Sequence, residues 1–218
     1  MITVARTWWA AVLRGAAALA LALIVVVYAH GPATGAPLLF GTYVLVDGLI
    51  AVGGVLAAGL GRHGALLLTE GLTGITIGMA SIYEPHAMPF TTPLFMIAWA
   101  LVIGSAEIFT GGQIGQEMPN FRESPPLDRR LRRRTLAPNR AYLLSGAIAL
   151  AFAVALAVVP IFRTTLAIPL LGLFAASFGY LHLCAGLILG LHVVERSSYE
   201  VVTAAVEGDL GATTEGAL

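Results

Sequence analysis

The stretch RGAAALALALIVVVYAHGPATGAPLLFGTYVLVDG, Arg14 to Gly48, decides how the chain is read. It starts inside one apolar run, leaves it through His30-Gly31-Pro32, and re-enters apolar sequence before Asp47-Gly48. Gly15 and Gly48 are 33 positions apart, and the same interval separates Gly71 from Gly104 and Gly146 from Gly179. A polar or charged residue precedes each first glycine (Arg14, Glu70, Ser145), and an aromatic lies five positions before each second one (Tyr43, Trp99, Phe174). Self-similarity at a fixed interval marks a repeated supersecondary unit. The spacing therefore predicts one helical hairpin written three times. The second copy starts 56 residues after the first and the third 75 after the second, so about 19 residues are inserted between them.

Composition fixes the medium. Of 218 residues, 58% are hydrophobic and 11% charged, against about a quarter charged in an ordinary soluble domain. Mean hydropathy is +0.87. Six apolar runs of at least 20 residues can be counted: Thr7–Ala29, Pro37–Leu60, Gly64–Tyr83, Thr92–Ile114, Arg140–Ile161 and Leu166–Val193. About 20 residues in a helix cross a hydrocarbon core of roughly 30 Å. Backbone amides in lipid must be satisfied within their own segment, so these runs are helices. The predicted fold is all-α, a polytopic membrane protein of six transmembrane helices arranged as three tandem helical hairpins. Residues 1–114 hold the first two hairpins, 115–139 an arginine-rich loop, 140–195 the third hairpin, and 196–218 an acidic tail expected to be disordered. A cleaved signal peptide is the other reading of the first run, because Arg6 resembles an n-region and Tyr28-Ala29-His30 lies near a small-residue site. Arg14 inside that apolar core, and its place in a repeated unit, favour a membrane helix.

The arginines give an orientation. The chain has no lysine, and seven of its twelve basic residues lie between Arg122 and Arg140. Arg6, Arg62, the six loop arginines and Arg196 fall on the side of both termini, whereas Arg163 alone falls on the other. Positive loops stay in the cytoplasm, so both termini are expected there. All three hairpins then point the same way, with any pseudo-symmetry axis along the membrane normal. Arg129, Arg130, Arg132, Arg133 and Arg134 are expected to contact anionic lipid. A nucleic-acid partner is not expected, since 25 loop residues leave no room for a folded module. Beside lipid, the expected partners are further copies of the chain or other membrane proteins.

The candidate functional residues are the ionisable ones inside the apolar runs: Arg14, Asp47, Glu70, Glu107 and His182. Charged groups in membrane segments are rare and face a bundle interior or a watery cavity. Helical rise places Arg14, Glu70 and Glu107 roughly 10 Å from the cytoplasmic ends of their helices, with Asp47 deeper. The repeat offset puts Arg14, Glu70 and Ser145 at one level and Ala51, Glu107 and His182 at another. Arg14 is expected to pair with at least one of the three acids; if it turns toward the glutamates, Asp47 is left unpaired. Snorkelling of Arg14, hydration of the glutamates and plain packing of His182 are the competing readings. Gly15, Gly48, Gly71, Gly104, Gly146 and Gly179 are expected where helices approach closely. No phosphate loop, HExxH, CxxC or GxSxG occurs, and Cys184 is the one cysteine. No catalytic residue, cofactor or metal is therefore expected.

Four strings carry a family resemblance. WWAAVLRGAAAL (Trp8 to Leu19), FGTYVLVDGLI (Phe40 to Ile50), LLLTEGLTGITIGM (Leu66 to Met79) and AWALVIGSAEI (Ala98 to Ile108) resemble the HdeD-type short-repeat membrane proteins. The resemblance covers Trp8 to Ile114 well and the third hairpin weakly. It implies a six-helix bacterial inner-membrane protein associated with acid resistance, and matches Asp47, Glu70 and Glu107 to recurring acidic positions. The arginine-rich loop, third hairpin and acidic tail depart from the family pattern. The expected function is that of a non-enzymatic envelope stress protein with titratable intramembrane residues. The alternative is a small transporter or channel with a polar path at Arg14, Asp47, Glu70 and Glu107.

Overall fold

The structure, a computed structural model, describes residues 7–27, 35–59, 62–83, 91–117, 137–158, 168–191 and 193. These residues hold six helices long and apolar enough to cross a membrane, and no strand. They are α1 (Trp8–Val27), α2 (Ala36–Ala58), α3 (Arg62–Tyr83), α4 (Thr91–Glu117), α5 (Pro138–Val158) and α6 (Ile168–Leu191). The chain is an all-helical, multi-pass membrane protein.

The helix ends follow local chemistry. Pro37 sits in the first turn of α2 and Pro138 opens α5, where a missing N–H costs nothing. At its other end α2 stops on Gly59, whose φ of +87° no β-carbon tolerates well and whose N–H donates to the Val55 carbonyl at 2.8 Å. Two boundaries differ from the apolar runs. Helix α4 continues to Glu117 and α5 begins at Pro138, so the predicted loop 115–139 is trimmed at both ends. Packing explains the extension: Gly111 lies against the Asn139 carbonyl, and a β-carbon at Gly115 would lie 3.4 Å from Asn139 Nδ2. The loop arginines Arg129, Arg130, Arg132, Arg133 and Arg134, and the acidic tail, lie outside the described residues.

The six glycines meet in three pairs. A β-carbon on Gly48 would come within 2.6 Å of the Gly71 carbonyl oxygen, one on Gly146 within 2.7 Å of that of Gly104, and one on Gly15 within 2.8 Å of that of Gly179. Backbones approach this closely only where both partners lack side chains. The tight seams are thus α2/α3, α4/α5 and α6/α1. Along α2/α3, Gly54 faces Leu67 while Gly41 faces Ser81, so the helices run antiparallel. Each seam joins the second glycine of one predicted copy to the first glycine of the next, and the last seam closes the ring on α1. The closest approach is therefore between copies rather than within a hairpin.

An aromatic core fills one half of the ring. Trp99 meets Tyr43 and Phe174 edge to face, each with ring centroids 5.5 Å apart, and Phe40 at 5.9 Å. Phe152 of α5 stacks on Phe174 of α6 at 4.7 Å. Tyr43, Trp99 and Phe174 are the three aromatics that the repeat aligns. The lipid-facing surface is apolar, as at Leu56, 82% exposed. Its hydroxyls bond back into their own helices: Thr69, Thr73 and Thr76 donate to the carbonyls of Ala65, Thr69 and Leu72 at 2.8 to 2.9 Å. That satisfies a polar group where no water is available.

Candidate functional site

Five ionisable side chains converge inside the ring, next to the aromatic core. Arg14, Asp47, Glu70, Glu107 and His182 come from α1, α2, α3, α4 and α6, and each is at most 4% exposed. Neither snorkelling of Arg14 nor hydration of the glutamates describes them. Their depth follows from the helices that carry them. Arg14, Glu70 and Ser145 each stand beside a seam glycine, on the face turned to the ring centre. Glu107 and His182 stand one turn beyond Gly104 and Gly179 on the same inward face.

Arg14 is the hub. Its Nε donates to Asp47 Oδ1 at 2.8 Å and its Nη2 to Asp47 Oδ2 at 3.1 Å, a two-pronged contact suited to a planar guanidinium. The same Nη2 also donates to Glu70 Oε1. Nη1 lies 3.5 Å from Glu107 Oε1. Its Cζ sits 5.8 Å from the centroid of the Phe178 ring, within cation–π range. Asp47 is therefore paired rather than left over: Arg14 reaches it and the glutamates together.

Glu107 anchors the second half. His182 Nε2 lies 3.0 Å from Glu107 Oε1, across 75 residues of sequence. His182 Nδ1 lies 3.1 Å from the Phe178 carbonyl oxygen. The Ser145 hydroxyl donates to Glu107 Oε2 at 2.9 Å and lies at the same distance from the Tyr142 carbonyl. The imidazole stacks on Phe178 at 3.9 Å and meets the Tyr142 ring edge at 5.4 Å. His182 is thus both a packed ring and a polar partner. Ser145 was aligned with Arg14 and Glu70 by the repeat offset, but nothing in the sequence names its carboxylate partner.

Four buried polar atoms have no hydrogen-bond partner among the described residues: the Tyr43 hydroxyl, Trp99 Nε1, Ser81 Oγ and Gln113 Oε1. The six predicted glycines lie at the seams already described. Cys184 is a half-buried free thiol. Among the described residues, no three His, Cys, Asp or Glu side chains converge in a geometry that would hold a metal ion. What the arrangement can do is bind helices from five parts of the chain through charge, and take up or release protons. Compared with protein-family models, curated proteins and solved structures, the chain finds no match.

Proposed function

We propose that this chain is a non-enzymatic inner-membrane protein of the HdeD type, acting in the envelope's response to acid through its buried titratable cluster, with both termini in the cytoplasm. One observation carries this reading. Five ionisable groups that titrate or pair are gathered in one place and closed from the surface, Asp47 being 1% exposed. Charge buried in this way is costly unless paired and hydrogen-bonded, and external acid acts on such a balance by adding protons. The family assignment rests on the four sequence strings and on Asp47, Glu70 and Glu107.

The transporter reading requires a water path past Asp47. Closure around Asp47, and its two contacts with Arg14, support the sealed bundle instead. The test is proton and solute flux in vesicles containing the purified protein, together with survival at low pH of cells lacking the protein. The expected result is no flux above empty vesicles, and an acid-survival defect restored by the intact chain. Sustained flux would replace this reading with the transporter.

A further inference from the structure

We propose that the cluster is a two-proton site, with one proton bound between His182 Nε2 and Glu107 Oε1 and the second on Glu70. The proposal deepens the reading above and rests on it in one respect, that the cluster is closed to water.

Two separate counts lead to it. The first is of charge. Asp47, Glu70 and Glu107 contribute three negative charges when ionised, and Arg14 one positive charge that it cannot discard. With a neutral imidazole the buried site would hold two uncompensated negative charges. Uncompensated charge in a low-dielectric interior is strongly unfavourable. The titratable and charged groups facing the site are Arg14 from α1, Asp47 and Tyr43 from α2, Glu70 from α3, Glu107 from α4, Tyr142 from α5 and His182 from α6. Arg14 is the one fixed cation among them. Two protons make the cluster neutral.

The second count is of hydrogen-bond donors, and it says where the protons go. Both nitrogens of His182 face acceptors: the Phe178 carbonyl at Nδ1 and the Glu107 carboxylate at Nε2. A carbonyl only accepts, so Nδ1 carries a hydrogen. A neutral imidazole has one N–H, which would leave the Nε2 lone pair against Oε1 at 3.0 Å. A proton between them turns that repulsion into a charge-assisted hydrogen bond, with Ser145 donating to Oε2.

On the other side, Asp47 receives two N–H groups of Arg14, one at each oxygen. Glu70 receives one, at Oε1, from the nitrogen that already serves Asp47. Two carboxylates crowded on one nitrogen repel, and Glu70 is the less compensated. Its Oε2 is where the second proton binds, leaving Oε1 to accept from Arg14. Each uptake forms one N–H or O–H bond, consumes one hydronium and releases one water.

The test uses the full chain in phosphatidylcholine–phosphatidylglycerol vesicles near neutral pH. Nitrogen NMR of His182 is expected to show two protonated ring nitrogens. Infrared spectra are expected to show one protonated carboxyl stretch, which carboxyl-labelled glutamate shifts and carboxyl-labelled aspartate does not, and which is lost in Glu70→Gln and retained in Glu107→Gln. Glu70→Gln keeps the shape and an N–H where the acid carries its O–H, and so preserves the fold. A bare Nε2 in the wild type, no protonated carboxyl in the wild type, a band that moves with labelled aspartate, survival of the band in Glu70→Gln, or its loss in Glu107→Gln would each overturn the proposal. The spectra of the wild-type chain decide the proton count even where a variant does not fold. Flux through the same vesicles would overturn the closed-bundle reading while leaving the proton assignment to the spectra.

Discussion

Arg14 is the residue whose removal says most about the bundle. In Arg14→Ala, Asp47 loses hydrogen bonds at 2.8 and 3.1 Å, Glu70 loses its Arg14 contact, and Glu107 loses a cation at 3.5 Å. Breaking a buried ion pair by deleting one partner costs about 3–5 kcal/mol, because the other charge stays behind unpaired. Deleting the hub of three such contacts should reach the upper part of that range. The partition among partners follows from the hydrogen bonds. A bond to a charged group is worth about 1.5–3 kcal/mol, and coupling between residues in one network about 0.5–3 kcal/mol. Asp47, with two such bonds, should therefore couple to Arg14 by about 3 kcal/mol, whereas Glu70, neutral and replaced by an amide that still accepts from Arg14, and Glu107, with proximity alone, should each couple by about 1 or less. The assay is equilibrium unfolding in mixed micelles, followed by tryptophan fluorescence. Arg14→Ala is combined in double-mutant cycles with Asp47→Asn, Glu70→Gln and Glu107→Gln. Lowering the pH should narrow the Arg14→Ala deficit, since protonation removes the unpaired charge that the substitution creates. Additivity within about 0.5 kcal/mol in all three cycles would refute the cluster, and a larger coupling for Glu107 than for Asp47 would refute the assignment of partners.

Two further outcomes are expected. A β-carbon at Gly48, Gly104 or Gly179 would lie 2.6, 3.0 or 2.8 Å from a facing backbone oxygen, so alanine at any of them should cost about 1–3 kcal/mol by overpacking, whereas Gly112→Ala, with nothing within 4 Å, should be neutral or gain up to about 1 kcal/mol of helix propensity in the same unfolding assay. Single cysteines at positions 86 and 163 in a Cys184→Ser background should be labelled by an impermeant reagent from outside the cell; labelling from the cytoplasm alone would invert the orientation read from the arginines.

The helices were legible because lipid makes a single demand, that about 20 apolar residues satisfy their own backbone. The site was largely legible for the converse reason. Arg14, Asp47, Glu70 and Glu107 are conspicuous in apolar sequence, and a charge that cannot reach water must find a partner. The identity of each partner was less accessible. Whether Arg14 turned to Asp47 or to the glutamates depended on helix rotation about its axis, which a weakly amphipathic run such as α2 leaves undefined. The Glu107–His182 contact was out of reach for another reason. It spans 75 residues and depends on α6 closing the ring, a tertiary event with no local signature. Likewise the glycine interval of 33 predicted close approaches but could not say whether partners lay within a copy or across copies. The ends of α4 and α5 outran the apolar runs because Gly111 and Gly115 pack on Asn139, a contact that hydropathy does not encode.

A repeated scaffold, as the glycine interval proposes it, would explain why an asymmetric site can sit at its centre. In the three-copy reading, each copy turns two positions inward: the one before its first glycine and the one three after its second. Six side chains thereby reach the ring centre: Arg14, Glu70 and Ser145, then Ala51, Glu107 and His182, and all are buried to within 4%. A seventh, Asp47, stands before a second glycine where the other copies place Ile103 and Phe178, also buried. Backbone repetition supplies equivalent places; it does not demand equivalent chemistry in them. One copy contributes a cation with an acid, the second two acids, and the third a hydroxyl with an imidazole. Two hydrogen bonds join Arg14 to Asp47 within the first copy, and the others run between copies, from Arg14 to Glu70, from Ser145 to Glu107, and between Glu107 and His182. The charges thus tie together the same units that the glycine seams bring into contact. Loosening either, by a side chain at a seam or by a proton withdrawn from the centre, acts on the two boundaries they share, first copy against second and second against third.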